Sequence, residues 1–324
     1  MNAEDIDGIV DFHVHLPWRY RDPVQAARRL VAAMDEAGVQ VAVVIAVEAG
    51  VETFRRNTSR REVKRALEEV ADYIMLGRVP GIQRLLYNTG EALREHEDLI
   101  REHRRTTEEV VEAARAYPDR LLPVGSFCPD RGVEDTLRRL RRFEDELLGV
   151  KIYPTLHYVR PNDRRLEPLY RWAEESGKIV IVHTGCDPGL WELPRMCRYA
   201  RPKYVAEAAR RHRDAVFIVA HMGSYSAIMP GIFFHEALEA ASLDNVYLDT
   251  SAVDPFFVDL AVEKIGYDKL LFGSDYPYMV GLTIKDVVMD ILRLDIPVEA
   301  KRAILRDNAV RLLKRLGRLP KRLE

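Results

Sequence analysis

The sequence has little cysteine, no apolar run long enough to cross a bilayer and no long block of one charge sign. Each of these absences removes a class of protein. Its three cysteines, Cys128, Cys186 and Cys197, are odd in number and widely spaced among 324 residues. That spacing argues against a disulfide framework and a zinc ribbon, and for a reducing compartment. The opening Met1-Asn2-Ala3-Glu4-Asp5 is acidic and lacks a secretory apolar core, so a cytoplasmic protein with no membrane partner is expected. A net charge of −2 with 31% charged residues offers neither a nucleic-acid groove nor a polybasic patch. Internal repeats, low-complexity tracts and interdomain linkers are absent as well. What remains is a chain with 47% hydrophobic residues, enough to bury a large core, whose expected partner is a small neutral or anionic molecule.

Apolar runs of strand length recur at residues 9–15, 39–47, 121–128, 147–153, 179–183, 216–221, 246–250 and 269–275. They are nearly continuous rather than alternating, as parallel strands covered on both faces require. Helical periodicity follows most of them, at 23–37, 133–146, 167–176, 204–213, 231–241, 254–265 and 284–294, with Gly38 and Gly177 placed as stops and Pro255 as a start. This order predicts an α/β fold, a (β/α)8 TIM barrel forming one domain over residues 1–324. Residues 48–119, between strands 2 and 3, exceed the needs of one crossover. They carry amphipathic stretches at about 60–76 and 91–116, the second opened by an Asn88–Glu91 capping box. A helical insertion is expected there, acting as a lid, as a subunit contact in a homo-oligomer, or only as a structural hairpin. Residues 298–313 are expected to close the barrel.

Chemistry enters at the ends of the strands. In Asp11-Phe12-His13-Val14-His15 the two histidines are one residue apart on a strand, so both project the same way and can grip one ion. Four further strands end in a residue that binds metal or moves protons: Lys151 in Val150-Lys151-Ile152-Tyr153-Pro154, His183 in Val182-His183-Thr184-Gly185, His221 in Ala220-His221-Met222-Gly223, and Asp275 in Phe272-Gly273-Ser274-Asp275-Tyr276-Pro277. Counting back by twos gives Ile181 and Ile179 behind His183, Val219 and Phe217 behind His221, and Gly273 behind Asp275, residues suited to the barrel interior. Singly, each has a bland explanation as a buried histidine, a helix cap or a snorkelling lysine. Jointly, imidazoles and a carboxylate converging on one rim suit zinc or a similar divalent ion.

The order of these motifs resembles the amidohydrolase superfamily of metal-dependent hydrolases. The likeness is closest to its amidohydrolase-2 branch, which includes aminocarboxymuconate-semialdehyde and resorcylate-type decarboxylases, and it extends to the closing Asn308-Ala309-Val310-Arg311-Leu312-Leu313. The resemblance implies that His13, His15, His183 and Asp275 ligate a single ion, with His221 either a further ligand or a polar group touching water and substrate. Lys151 is ambiguous: in binuclear relatives a lysine in this context is carboxylated and bridges two metals, whereas in mononuclear ones it is free to meet a substrate carboxylate. One ion is the expectation, two the alternative.

The expected reaction is hydrolysis of an amide, lactone or related carbonyl compound by metal-activated water, with Asp275 moving the proton and His221 helping to stabilise the oxyanion. The alternative is nonoxidative decarboxylation of an unsaturated or aromatic acid, for which Trp18, Tyr20, Tyr153, Trp191, Tyr276 and Tyr278 offer flat surfaces and Arg19 an anion clamp. A phosphoesterase and a noncatalytic barrel are weaker readings. Asp11 is read as orienting a ligand from below or serving only the barrel's polar layer, Asp249 as standing behind a ligand or facing substrate, and His157 as a residue of the loop after the fourth strand, for which a substrate contact is the weaker reading. Cys186 is read as a packed thiol, and His96, His103 and His212 as solvated.

Overall fold

Valine, isoleucine or leucine recurs in each of the eight expected strands, and all eight form. The computed structural model describes residues 6, 8–58, 61, 89–187, 192–226, 229–279 and 281–324. The strands are β1 (Ile9–Val14), β2 (Val39–Ile45), β3 (Leu121–Ser126), β4 (Gly149–Ile152), β5 (Ile179–Gly185), β6 (Val216–Tyr225), β7 (Val246–Asp249) and β8 (Leu270–Leu271). They pair side by side in chain order, always in parallel. The segment after β8 returns to β1: Phe12 N–H donates to the Phe272 carbonyl at 2.7 Å, Asp275 N–H to His13 at 2.9 Å, and His15 N–H to Tyr276 at 2.7 Å. These bonds close the (β/α)8 cylinder and lay Asp275 against both histidines of β1.

Two packed layers follow from the alternation of strand side chains. Val10, Phe12, Val43, Val124, Ile181, Ile218 and Leu271 fill the interior, which Leu312 and Leu313 of helix Asn308–Arg315 join. Val14, Val44, Val182, Phe217 and Val219 face the surrounding helices. Burying each such side chain contributes roughly 1.5–3 kcal/mol. Gly38 and Gly177 end their helices in the left-handed region, at φ 73° and 62°, and the Asp254 carboxylate caps Pro255–Ile265 by accepting from Phe256 N–H, all as the sequence predicts.

The insertion departs from expectation. The stretch near residues 60–76 and Asn88 of the expected capping box lie outside the described residues. Residues 91–116 are not one helix but two, Thr89–His103 and Thr107–Ala116. Thr106 and Glu109 make the capping box that opens the second. The break is set by Arg105, which pairs with Val47 at the end of β2. Its buried guanidinium donates to the carbonyls of Pro17 (3.1 Å), Trp18 (3.3 Å), Arg21 (3.3 Å) and Tyr20. Buried Glu48 accepts from the Thr107 amide and hydroxyl, both at 2.9 Å, and from Arg139. Together these contacts fasten the insertion to the rim that carries the loop after β1.

The cysteines also correct the sequence reading. Cys186 and Cys197 form a disulfide, with Cα atoms 5.1 Å apart, while buried Cys128 is free. Eleven residues of separation allow the chain to leave β5 and return through the short helix Pro194–Cys197, a reach that residue counting does not reveal. The argument for a reducing compartment thereby loses its basis. No helix among the described residues is long and apolar enough to cross a membrane.

Candidate metal centre

His13, His15, His183, His221 and Asp275 all line one small pocket at the C-terminal mouth of the barrel, beside Tyr153, Tyr225 and Tyr278. The alternation of strands explains only part of this. Behind His183, Ile179 and Ile181 point into the barrel, as counting by twos expects. Behind His221 the same count fails, because Phe217 and Val219 face the helices while Ile218 and Ala220 are inside. A left-handed backbone at His221 (φ 63°) and Met222 (φ 47°) breaks the strand and brings the ring into the pocket. Asp275 is also left-handed, at φ 56°. In β1, Val10 and Phe12 are interior, and a register shift between Asp11 and Val14 lets His13 and His15 turn inward. Non-glycine residues at positive φ are costly and concentrate at functional sites. Gly273 is required beside them, since a Cβ there would stand 2.8 Å from His13 Cβ.

The three histidines of β1 and β6 share one hydrogen-bonding logic. His15 Nδ1 lies 3.0 Å from the Ile45 carbonyl and His221 Nδ1 2.8 Å from the Ser251 carbonyl. A carbonyl only accepts, so both rings carry their proton on Nδ1 and present a bare Nε2. His13 Nδ1 faces Asp249 Oδ2 at 2.8 Å, which fixes the same tautomer. Asp249 also accepts from His221 N–H at 2.9 Å and from the amide and hydroxyl of Ser251. One carboxylate on β7 thus holds the His13 ring and the His221 backbone, on two different strands, the role expected of groups behind a metal ligand. Asp11 accepts from the amides of His13 (3.1 Å) and Ser274 (3.0 Å), bracing Asp275 from below, and its burial raises its pKa to about 7.

On the open side, Asp275 Oδ1 stands 3.5 Å from His13 Nε2 and 3.4 Å from His15 Nε2. Donor atoms of His13, His221 and Asp275 fall within 4.8 Å of one another. Burial and neighbouring Lys151 hold His13 well below the usual imidazole pKa; burial and His183 do the same to His221, and burial takes His183 down to about 3. These rings are therefore neutral at pH 7, the state in which imidazole binds metal. Neutral Nε2 atoms and a carboxylate, each turned by a fixed partner toward one small space, fit a divalent cation. Lys151 is fully buried with Nζ 3.3 Å from His13 Nε2, and desolvation brings its pKa to about 8.

Several residues differ from expectation. His157 ends the short buried helix Pro154–His157, accepts from Tyr153 N–H at 3.1 Å and does not line the pocket. Arg19 is exposed in an outer cleft with Tyr20 and Tyr276, outside the pocket. His212 is buried against Glu174 at 2.8 Å. His103, from the insertion, packs at a tilt on Trp18 at 4.4 Å and stacks at 5.5 Å on Tyr278, a residue of the pocket wall. Trp191 and the His96 side chain lie outside the described residues. Two polar pocket residues escaped the sequence reading, Tyr225, 4.9 Å from both His183 and His221, and Glu192, and neither carried a signal. Ser251, which meets the Nδ1 atoms of His13 and His221 from behind, carried a usable one, two positions beyond Asp249. Glu192 is buried, with Oε1 3.0 Å from His183 Nε2, and burial raises its pKa to about 7.

Similar folds are known. A Bordetella bronchiseptica TIM-barrel protein of uncharacterised function matches 96% of this chain and 100% of its own at 19% identity and a TM-score of 0.64. The 4-oxalomesaconate hydratase of Rhodopseudomonas palustris matches 95% and 96% at 16% identity and 0.60. A 5-carboxyvanillate decarboxylase of Novosphingobium aromaticivorans, solved with manganese and a substituted nitrobenzoic acid, matches 97% and 98% at 13% identity and 0.59. At such identities the likeness speaks for the fold alone. The sequence pattern of the amidohydrolase family, however, matches residues 10–315. From its first strand to its closing helix, this chain belongs to the amidohydrolase family of enzymes.

Proposed function

We propose that this enzyme hydrolyses a small carbonyl compound, an amide, lactone or related substrate, with one divalent ion per chain, zinc or a similar metal, held by His13, His15, His183, His221 and Asp275. The observation that carries the reading is the shared tautomer of His13, His15 and His221: each Nδ1 is spoken for, so each Nε2 keeps its lone pair for a cation, which at His13 would take the place of the Lys151 Nζ 3.3 Å away. When bound, the ion supplies Lewis acidity that polarises a carbonyl and brings the pKa of water to about 7. Asp275 Oδ1, facing two imidazole nitrogens, accepts the proton of the attacking water and returns it to the leaving nitrogen or oxygen. His221 has no proton on Nε2 with which to steady an oxyanion, which favours it as a ligand. That donation falls to tyrosine. Burial keeps the hydroxyls of Tyr225 and Tyr278 protonated, and both line the pocket. His103 and Trp18, stacked beside Tyr278, make the insertion part of a lid that excludes water.

Among the described residues no arginine lines the pocket, and buried Lys151 stands against His13 rather than in the pocket lining, which favours a neutral carbonyl substrate over an acid held by its carboxylate. The test is a parallel screen of the metal-loaded enzyme on amides, lactones and unsaturated or aromatic acids. Carbonyl hydrolysis without release of carbon dioxide supports the proposal. Carbon dioxide release without hydrolysis overturns it in favour of nonoxidative decarboxylation.

A further inference from the structure

The loop after β5 brings Glu192 to the pocket from a direction that no strand end supplies. Both carboxylate oxygens accept hydrogen bonds, Oε1 from the Thr155 hydroxyl at 2.6 Å and Oε2 from the Asp187 amide at 2.8 Å. Neither donor is charged, and the side chain is only 1% exposed. A buried carboxylate among neutral donors is costly in its charged form unless a cation in the pocket it lines balances it.

Its third neighbour indicates what that is. His183 Nε2 stands 3.0 Å from Glu192 Oε1, yet it makes no aligned hydrogen bond and is a buried nitrogen without one. Two donors bound to a common ion at ordinary zinc distances sit roughly 3.0–3.4 Å apart. The spacing of Asp275 Oδ1 to His15 Nε2, at 3.4 Å, is of this kind, and the Glu192–His183 spacing matches it on the opposite wall. The Cys186–Cys197 disulfide closes the loop on either side of Glu192, and Thr155 fixes the carboxylate from the helix after β4, which holds the group at the pocket wall beside the trio His13, His221 and Asp275, whose donor atoms lie within 4.8 Å of one another; to share their ion the arm must draw in toward that trio.

We propose that Glu192 is a metal ligand, its Oε1 and His183 Nε2 forming a two-donor arm that grips the cation from the β5 side. The inference rests on the metal-centre reading above and adds to it a carboxylate from outside the strand-end motifs. With Asp275 it places negative donors on two sides of the pocket, which favours a hard divalent ion over a neutral occupant.

Metal-free wild type, Glu192→Gln and Asp275→Asn are titrated with Mn2+ and followed by calorimetry and by the electron paramagnetic resonance of the bound ion. Glu192→Gln retains the shape and the capacity to accept from Thr155. The expected result is tight binding by wild type and a tenfold or greater loss of affinity, or the loss of one equivalent, in Glu192→Gln, with an altered Mn2+ spectrum. Unchanged affinity, stoichiometry and spectrum in Glu192→Gln overturn the inference while leaving the metal centre standing. Absence of binding by wild type overturns the metal centre and the inference together. Should Glu192→Gln not fold, Glu192→Asp, which withdraws the charge by one methylene, takes its place with the same expectation.

Discussion

On the side of the pocket built by β1, β6, β7 and β8, each donor is held by a group on a neighbouring strand, whereas the β5 side relies on a loop. His13 and His221 both lean on Asp249 of β7, and Asp275 is laid against β1 by backbone hydrogen bonds. His183 instead faces Glu192, whose position depends on Thr155, on the Asp187 amide and on the Cys186–Cys197 closure. The first arrangement is part of the barrel and forms with it. The second is assembled from elements outside the sheet, so it is where metal preference and substrate choice can change without disturbing the fold.

The comparison is broken most severely from the strand side. Asp275→Asn removes the carboxylate that His13 and His15 share. Divalent-ion affinity is expected to fall by more than about 100-fold, beyond the usual cost of outer partners, with turnover lost; calorimetric titration reads the first and substrate assay the second. Asp249→Asn leaves every donor in place but puts an amide NH2 where the His221 and Ser251 amides donate, or where His13 Nδ1–H does. Affinity is expected to fall by about 10–100-fold with the fold retained, checked by the same titration together with circular dichroism.

A smaller effect probes the support of the β5 side. His157 ends the short helix that presents Thr155, and burial lowers its pKa from 6.5 to about 3. Between these values the unfolded chain binds the proton that the folded chain refuses. The contribution of this group to stability is therefore complete above about pH 6.5 and is lost progressively as pH falls toward 3. Urea unfolding of metal-free protein between pH 7 and 4 should show stability falling with acidification, and His157→Gln should reduce that slope by up to about one proton. An identical slope in the variant would place the acid sensitivity elsewhere.

Much of this was legible in the chain because strands report on themselves. Continuous apolar runs located all eight, and their ends named His13, His15, His183, His221 and Asp275. Alternation alone does not place His221: Val219 and Phe217 face helices, and the ring reaches the pocket only through a left-handed turn that residue types do not announce. Glu192 was invisible because its partners, Thr155 and His183, are 37 and 9 positions away and belong to other elements. The disulfide was missed because an odd cysteine count conceals a pair, and the break at Arg105 because the pairing with Val47 is a tertiary contact inside an amphipathic stretch. Arg19 was credited with an anion-binding role on sequence proximity to β1, but its loop turns it outward.

The most direct test of the metal centre is elemental analysis of purified wild type beside Asp275→Asn, with each protein first stripped and then reloaded with zinc or manganese. The account predicts one equivalent per chain in wild type, lost on stripping, regained on reloading and absent from Asp275→Asn. A wild-type chain that holds no divalent ion after reloading, or an Asp275→Asn chain that holds it as firmly as wild type, would contradict it.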